Sequence, residues 1–149
     1  MCIRDSFIIQ ARQQGIDAKV KFLGVPNMGA DQFVIIGGKA VEGAVYVADY
    51  FPGMDTAENK RFVEAYRKRY NRLPDNGAAL GYTAIKIATA AIKAAGANPT
   101  HESIREALEK TNKLPVILGR GEFSFDAERG AQYQGVIMTV KDGKFIPLD

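Results

Sequence analysis

The chain has 149 residues, 46% hydrophobic and 25% charged, an ordinary globular composition with enough length to bury one core. Its 20 basic and 17 acidic residues are spread along the sequence, so the formal charge of +3 creates no dominant field and gives no reason to expect a nucleic-acid partner. With one cysteine, Cys2, and one histidine, His101, neither a disulfide framework nor a structural zinc site can be assembled, and no apolar run approaches the roughly 20 residues that span a bilayer.

The opening residues 1–6 fit poorly with their neighbours, because the helical pattern of Phe7, Ile8 and Ala11 starts abruptly, as though entered partway. They read as an assembly or truncation scar, so the missing charged start and apolar run of a signal peptide carry no inference about location. Residues 7–14 predict the end of an amphipathic helix closed by Gly15. Val20, Phe22, Leu23 and Gly24 predict a buried strand leading into a loop at Pro26 and Asn27. Asp31 is placed to cap a second helix through Phe33, Ile35 and Ile36, which Gly37 and Gly38 end, and Ala44 to Asp49 is β-rich again. Strands separated by helices predict an α/β fold with a parallel sheet flanked by helices.

From Pro52 three helices succeed one another with no strand between them. Asp55 and Glu58 form a capping-box pattern ahead of the stripe Phe62, Val63, Tyr66 and Tyr70. The second helix runs from about Ala78 to Ala95, with Ala84, Ile87, Ala88, Ala91, Ile92 and Ala95 on one side. The third begins after Thr100 and spaces Arg105 with Glu109 and Glu106 with Lys110 for pairing. The tail returns to strand: Phe123 and Phe125 alternate with Ser124, and Val136 to Lys141 meets Phe145 and Ile146 through the tight turn Asp142-Gly143.

No motif here carries chemistry. Gly37-Gly38-Lys39 lacks the spacing of a phosphate loop and is better read as a helix stop. Lys60, Arg61, Arg67, Lys68, Arg69 and Arg72, interleaved with Tyr66 and Tyr70, read as the solvated face and C-terminal end of a helix rather than a nucleic-acid patch. His101 sits beside a helix cap with nothing near to activate it, and Asp49, Asp126 and Glu128 stand in strand-end or turn contexts. The twelve-residue spacing of a calcium loop is absent, so no catalytic residue, metal site or cofactor is expected.

Several segments, in order, resemble the leucine/isoleucine/valine-binding proteins, type I periplasmic solute-binding proteins of ABC importers. They are Gln10 to Gly15; Phe22-Leu23-Gly24; Gly38 to Ala44, with Glu42-Gly43; Phe62 to Tyr70; Pro74-Asp75; Ala78 to Ala84; Gly119 and Gly121 with Phe123 to Asp126; and Val140 to Phe145. The resemblance implies a type I periplasmic-binding-protein-like fold of two α/β lobes closing over a ligand, of which this chain holds an incomplete part. Residues 7–50 and 119–149 would belong to the second lobe, and 51–118 would be helices packing on a first lobe most of which is missing. It further implies a ligand-binding, non-enzymatic protein whose partners are a small-molecule ligand, an amino acid or similar solute, and the membrane permease of the importer. The intact protein would be periplasmic or lipid-anchored outside the cell. A ligand-sensing domain of a regulator is the alternative on the same fold, and a small α/β enzyme the competitor from another class.

The ligand-binding residues on this reading are Pro26, Asn27 and Met28, at the C-terminal end of a parallel strand, and Gly77. Many amino-acid binders carry an acidic residue at the strand end and an aromatic where Gly77 stands. Here Pro26 and Asn27 bring no charge, and Gly77 leaves space.

Overall fold

A computed structural model describes residues 3–148, the Arg4 side chain excepted. In chain order the elements are α1 (Ile3–Gln13), β1 (Leu23–Gly24), α2 (Asp31–Gly37), β2 (Val45–Ala48), α3 (Ala57–Tyr70), α4 (Asn76–Ala94) and α5 (His101–Glu109). Five strands close the chain: β3 (Leu114–Pro115), β4 (Glu122–Phe125), β5 (Ala131–Gln132), β6 (Val136–Lys141) and β7 (Lys144–Pro147). They form two compact units. The chain up to Asp49 and again from Val136 makes one; Tyr50–Gly135 makes the other.

The first unit is a sheet of order β1-β2-β6-β7 with α1 and α2. The parallel pairing predicted from sequence is made between β1 and β2, Leu23 opposite Val45, while β6 and β7 add antiparallel strands. Tyr46, Ala48, Met138 and Val140 fill the buried face, where the Tyr46 and Phe145 rings meet edge-on at 5.7 Å. The opposite face keeps Leu23, Val47 and Ile137 exposed, Val47 and Ile137 being cross-strand partners.

Strand β1 is shorter than the run from Val20 predicts. The Arg12 guanidinium donates to the carbonyls of Ile16, Asp17 and Val20 and lies 4.7 Å from the Phe22 ring centre, which folds the preceding residues around one side chain. Asp31 is the first residue of α2 rather than its cap; its carboxylate still complements the helix dipole. The hairpin at Asp142 and Gly143 forms as expected, both residues at positive φ. Its turn is held from outside, because the Glu42 carboxylate accepts from the backbone N–H of Asp142 at 3.0 Å and of Gly143 at 2.7 Å. Of the residues read as a foreign start, 1 and 2 lie outside the described residues. Asp5 occupies the buried stripe of α1 beside Ile8, and neither of its carboxylate oxygens has a hydrogen-bond partner among the described residues.

The second unit packs α3, α4 and α5 with the small sheet β3-β4-β5. Its core is Tyr50, Ala79, Val116, Ile117, Leu118 and Phe123, with Phe62, Ile87 and Tyr133 against it. Residues 119–135, expected to go with 7–50, belong here. Strand β4 pairs with β3 directly after α5, and Gly119 runs against the backbone of Gln134.

The first cap lies one residue later than predicted. Thr56, not Asp55, caps α3 by accepting from the Asn59 N–H at 3.2 Å, and the buried Asn59 amide turns back to donate to the carbonyls of Pro52 and Met54. Asp55 is left to pair with Lys60 at 2.5 Å, and Glu58 pairs with Lys86 of α4. Asp75 caps α4, and Thr100 with Ser103 makes a capping box on α5. Arg105 meets Glu109 as spaced and also Glu102, whereas Glu106 and Lys110 form no ion pair among the described residues. The apolar residues of α4 divide differently from the single stripe expected: Ala79, Thr83 and Ala91 are buried and Ile87 half-buried, while Ala84, Ile85, Ala88 and Ile92 are exposed, Ile85 at 70%.

Candidate functional site

Three of the four residues read as ligand-binding share one turn. Immediately after β1 the chain makes a single 3-10 turn, Pro26–Gly29, entered from Val25 in extended conformation, with Pro26 supplying the φ that such a turn needs at its start. It therefore stands at the carboxyl end of a strand paired in parallel, where open α/β sheets place ligands.

The turn has an inside and an outside. Met28 is buried, and its thioether occupies the place a side chain on Gly24 would need: a Cβ there would lie 2.0 Å from the Met28 sulfur. Beneath Gly29 lies Tyr46, whose hydroxyl oxygen would be 3.1 Å and nearest ring atoms 3.2 and 3.5 Å from an added Cβ. Burial raises the Tyr46 phenol far above its ordinary range, so it remains neutral. Pro26 is half-buried, and Asn27 is the polar side chain that the turn leaves exposed. It offers amide donors and a carbonyl acceptor but no charge, acid, base or nucleophile. Sequence reasoning misses Tyr46. The signal for it is the pair of glycines bracketing the turn, since a side chain folded against backbone requires such gaps.

Gly77 belongs to the other unit, as the second residue of α4. It is exposed, and only the Asp75 carboxylate lies near, 3.5 Å from a would-be Cβ, so a larger side chain has room there. Two clefts in that unit, of about 410 and 490 Å³, border α5 and the β4–β5 face respectively, and Gly77 lines neither.

The remaining chemistry-bearing residues have structural work or stand alone. The Asp126 carboxylate accepts from Gly130 N–H at 2.6 Å, Glu128 N–H at 3.0 Å and the Gln132 amide at 2.7 Å, which closes its turn; the Gly130 bond leads in holding the carboxyl below its usual range. His101 is exposed at the start of α5. Among the described residues no group of three His, Cys, Asp or Glu side chains could hold a metal ion.

Comparison with known proteins gives a consistent answer. A family model described as periplasmic binding protein matches residues 5–144. A solved leucine-binding protein LivK from Thermotoga maritima is 30% identical, superposes with a TM-score of 0.84, and is matched by 97% of this chain over 40% of its own length. The branched-chain amino acid transporter substrate-binding protein LivJ from Streptococcus pneumoniae, solved with isoleucine, is 26% identical with a TM-score of 0.77, covering 95% of this chain and 39% of that one. An extracellular ligand-binding receptor from Rhodopseudomonas palustris HaA2, 22% identical at a TM-score of 0.82 over 97% of this chain and 44% of that one, shares the fold. This chain thus spans roughly 40% of the length of the solved proteins it resembles. A search of curated proteins finds no match.

Proposed function

The chain belongs to the periplasmic binding protein family, and on that premise we propose that it is part of the substrate-capture subunit of an ABC importer for branched-chain amino acids or related small polar solutes. The intact protein would work in the periplasm or anchored outside the cell, deliver its ligand to a membrane permease and perform no chemistry on it. The observation that supports this most is the turn Pro26–Gly29, a strand-end loop braced from inside by Met28 and Tyr46 and offering one uncharged polar side chain outward.

The preferred ligand is set by that missing charge. At this turn an amino acid's ammonium group would meet the Asn27 amide oxygen and no carboxylate, which favours solutes carrying amides or other neutral polar groups at this point. Calorimetric titration of the full-length protein with leucine, isoleucine, valine and short aliphatic amides tests the reading. Asn27→Ala should weaken the preferred ligand about tenfold, the value of one hydrogen bond near 1.4 kcal/mol. Asn27→Asp should tighten amino acids relative to amides. Absence of binding to every one of these solutes would sink the proposal.

On the same reading the unit containing β1, β2, β6 and β7 is part of the second lobe, and the helical unit contributes to the first. The exposed face of α4, with Ile85 and Ile92, would then be covered by the part of the protein that the relatives have in addition. The 149-residue chain alone should therefore self-associate, and Ile85→Gln with Ile92→Gln should weaken that association about tenfold per residue, since each removes roughly 1.4 kcal/mol of burial. Light scattering after size exclusion checks this. A monodisperse monomer with a sharp cooperative melt would count against the lobe assignment.

A further inference from the structure

The C-terminal end of α3 carries a charge imbalance that the rest of the second unit does not neutralise. Between Glu64 and Asp75, the carboxylates that border this stretch, there are four cations, Arg67, Lys68, Arg69 and Arg72, against those two acids. All four are exposed, and none forms an ion pair among the described residues; of the other cations nearby, Lys60 is taken by Asp55 and Lys86 by Glu58, while Arg61, a turn and a half earlier on α3, is exposed as well. The α3 helix dipole accounts for part of this, but it acts only within the last turn.

Two of the guanidiniums are held in place. Arg72 donates to the Tyr66 hydroxyl at 3.2 Å and lies 5.9 Å from that ring centre, and Arg69 lies 5.7 Å from the centre of Tyr70. The Tyr66 and Tyr70 rings are 4.5 Å apart, and the ladder continues inward to Phe62. Beside the cations, Tyr70 and Leu73 are each about half exposed, at 53% and 50%. Positioned arginines with free faces, a tyrosine and a leucine at one helix end combine phosphate recognition with side chains suited to a headgroup boundary.

We infer that this end of α3 docks on an anionic membrane surface, its cations on lipid phosphates and Tyr70 and Leu73 at the headgroup boundary. Nucleic acid fits less well, because Tyr66 is half-buried between Phe62 and Arg72, which leaves Tyr70 as the exposed ring beside the cations where single strands stack on successive rings. Docking of this kind depends neither on the ligand nor on the importer.

The test is flotation of the full-length protein with vesicles of phosphatidylcholine doped with phosphatidylglycerol, and with phosphatidylcholine alone. Binding should require the anionic lipid, weaken with salt, and fall about fivefold for each of Arg67→Ala, Lys68→Ala, Arg69→Ala and Arg72→Ala. On the doped vesicles the quadruple variant should float no better than the parent does on phosphatidylcholine alone. A second variant removing the exposed Lys19, Lys21, Lys39 and Lys93 lowers net charge equally and should retain most of the binding. Equal loss in both variants, equal binding to neutral vesicles, or tighter binding to a single-stranded oligonucleotide at the same salt would each overturn the inference.

Discussion

At neutral pH, Asn59→Asp is expected to destabilise the helical unit by about 3–5 kcal/mol, the range for a buried charge left without a partner. Asn59 is fully buried, and its amide nitrogen donates to the carbonyls of Pro52 at 2.9 Å and Met54 at 3.0 Å. Aspartate keeps the shape and reverses the electrostatics: two hydrogen bonds become oxygen–oxygen contacts in a site closed to water. Protonation restores only one donor for the two carbonyls. The introduced carboxyl would thus titrate above its unfolded value of roughly 3.9. A raised folded value means that the variant is best tolerated below the unfolded value and loses stability as pH rises through the folded one. Urea melts of variant and parent should show a gap that is wide near neutral pH and narrower in mild acid. A gap of equal width under both conditions would dispose of the buried-charge account.

Gly119→Ala is expected to cost about 3 kcal/mol, combining roughly 1–2 kcal/mol for a left-handed L-residue with about 1–3 kcal/mol of overpacking. Gly119 sits at φ +54°, and a Cβ there would fall 2.1 Å from the carbonyl oxygen of Gln134. That neighbour is backbone, so no rotamer change relieves the clash; either the loop after Leu118 or the segment after β5 must move. Gly96 supplies the control, since it lies at φ +94° with nothing within 4 Å of the same added atom. Gly96→Ala should show only the conformational penalty. For a chain of this size the difference, about 2 kcal/mol of overpacking, appears as a melting temperature about 6 °C lower for Gly119→Ala than for Gly96→Ala. Equal melting temperatures for the two variants would mean that the close approach to Gln134 has no energetic weight.

The elements most legible in the sequence are those with a local cause. Thr100 before α5 and Asp142-Gly143 in the hairpin each state their structure within a few residues, and each forms; α4 forms as a helix too, though its expected stripe does not lie on one buried face. What is not legible depends on partners distant in sequence. Val116, Ile117 and Leu118 are the centre of a core, yet a short apolar run between Pro115 and Gly119 has no period to declare it. The cap of α3 moves from Asp55 to Thr56 because Asn59 can reach two carbonyls in the preceding turn, which a spacing rule does not weigh. At the candidate site the strand-end location of Pro26, Asn27 and Met28 can be anticipated from the parallel-strand pattern. That Met28 turns inward cannot, since it rests on the space at Gly24.

The Glu42 carboxylate reaches a turn about a hundred residues further along the chain. Between them lies the whole of Tyr50–Gly135, which is one continuous stretch of chain. The sheet order β1-β2-β6-β7 makes β6 an inner strand, so on the ribosome β2 waits with an unpaired edge until synthesis has passed Lys141. The helical segment is therefore synthesised while β2 waits, and the β6–β7 hairpin sets the moment at which that edge becomes safe from pairing with another chain.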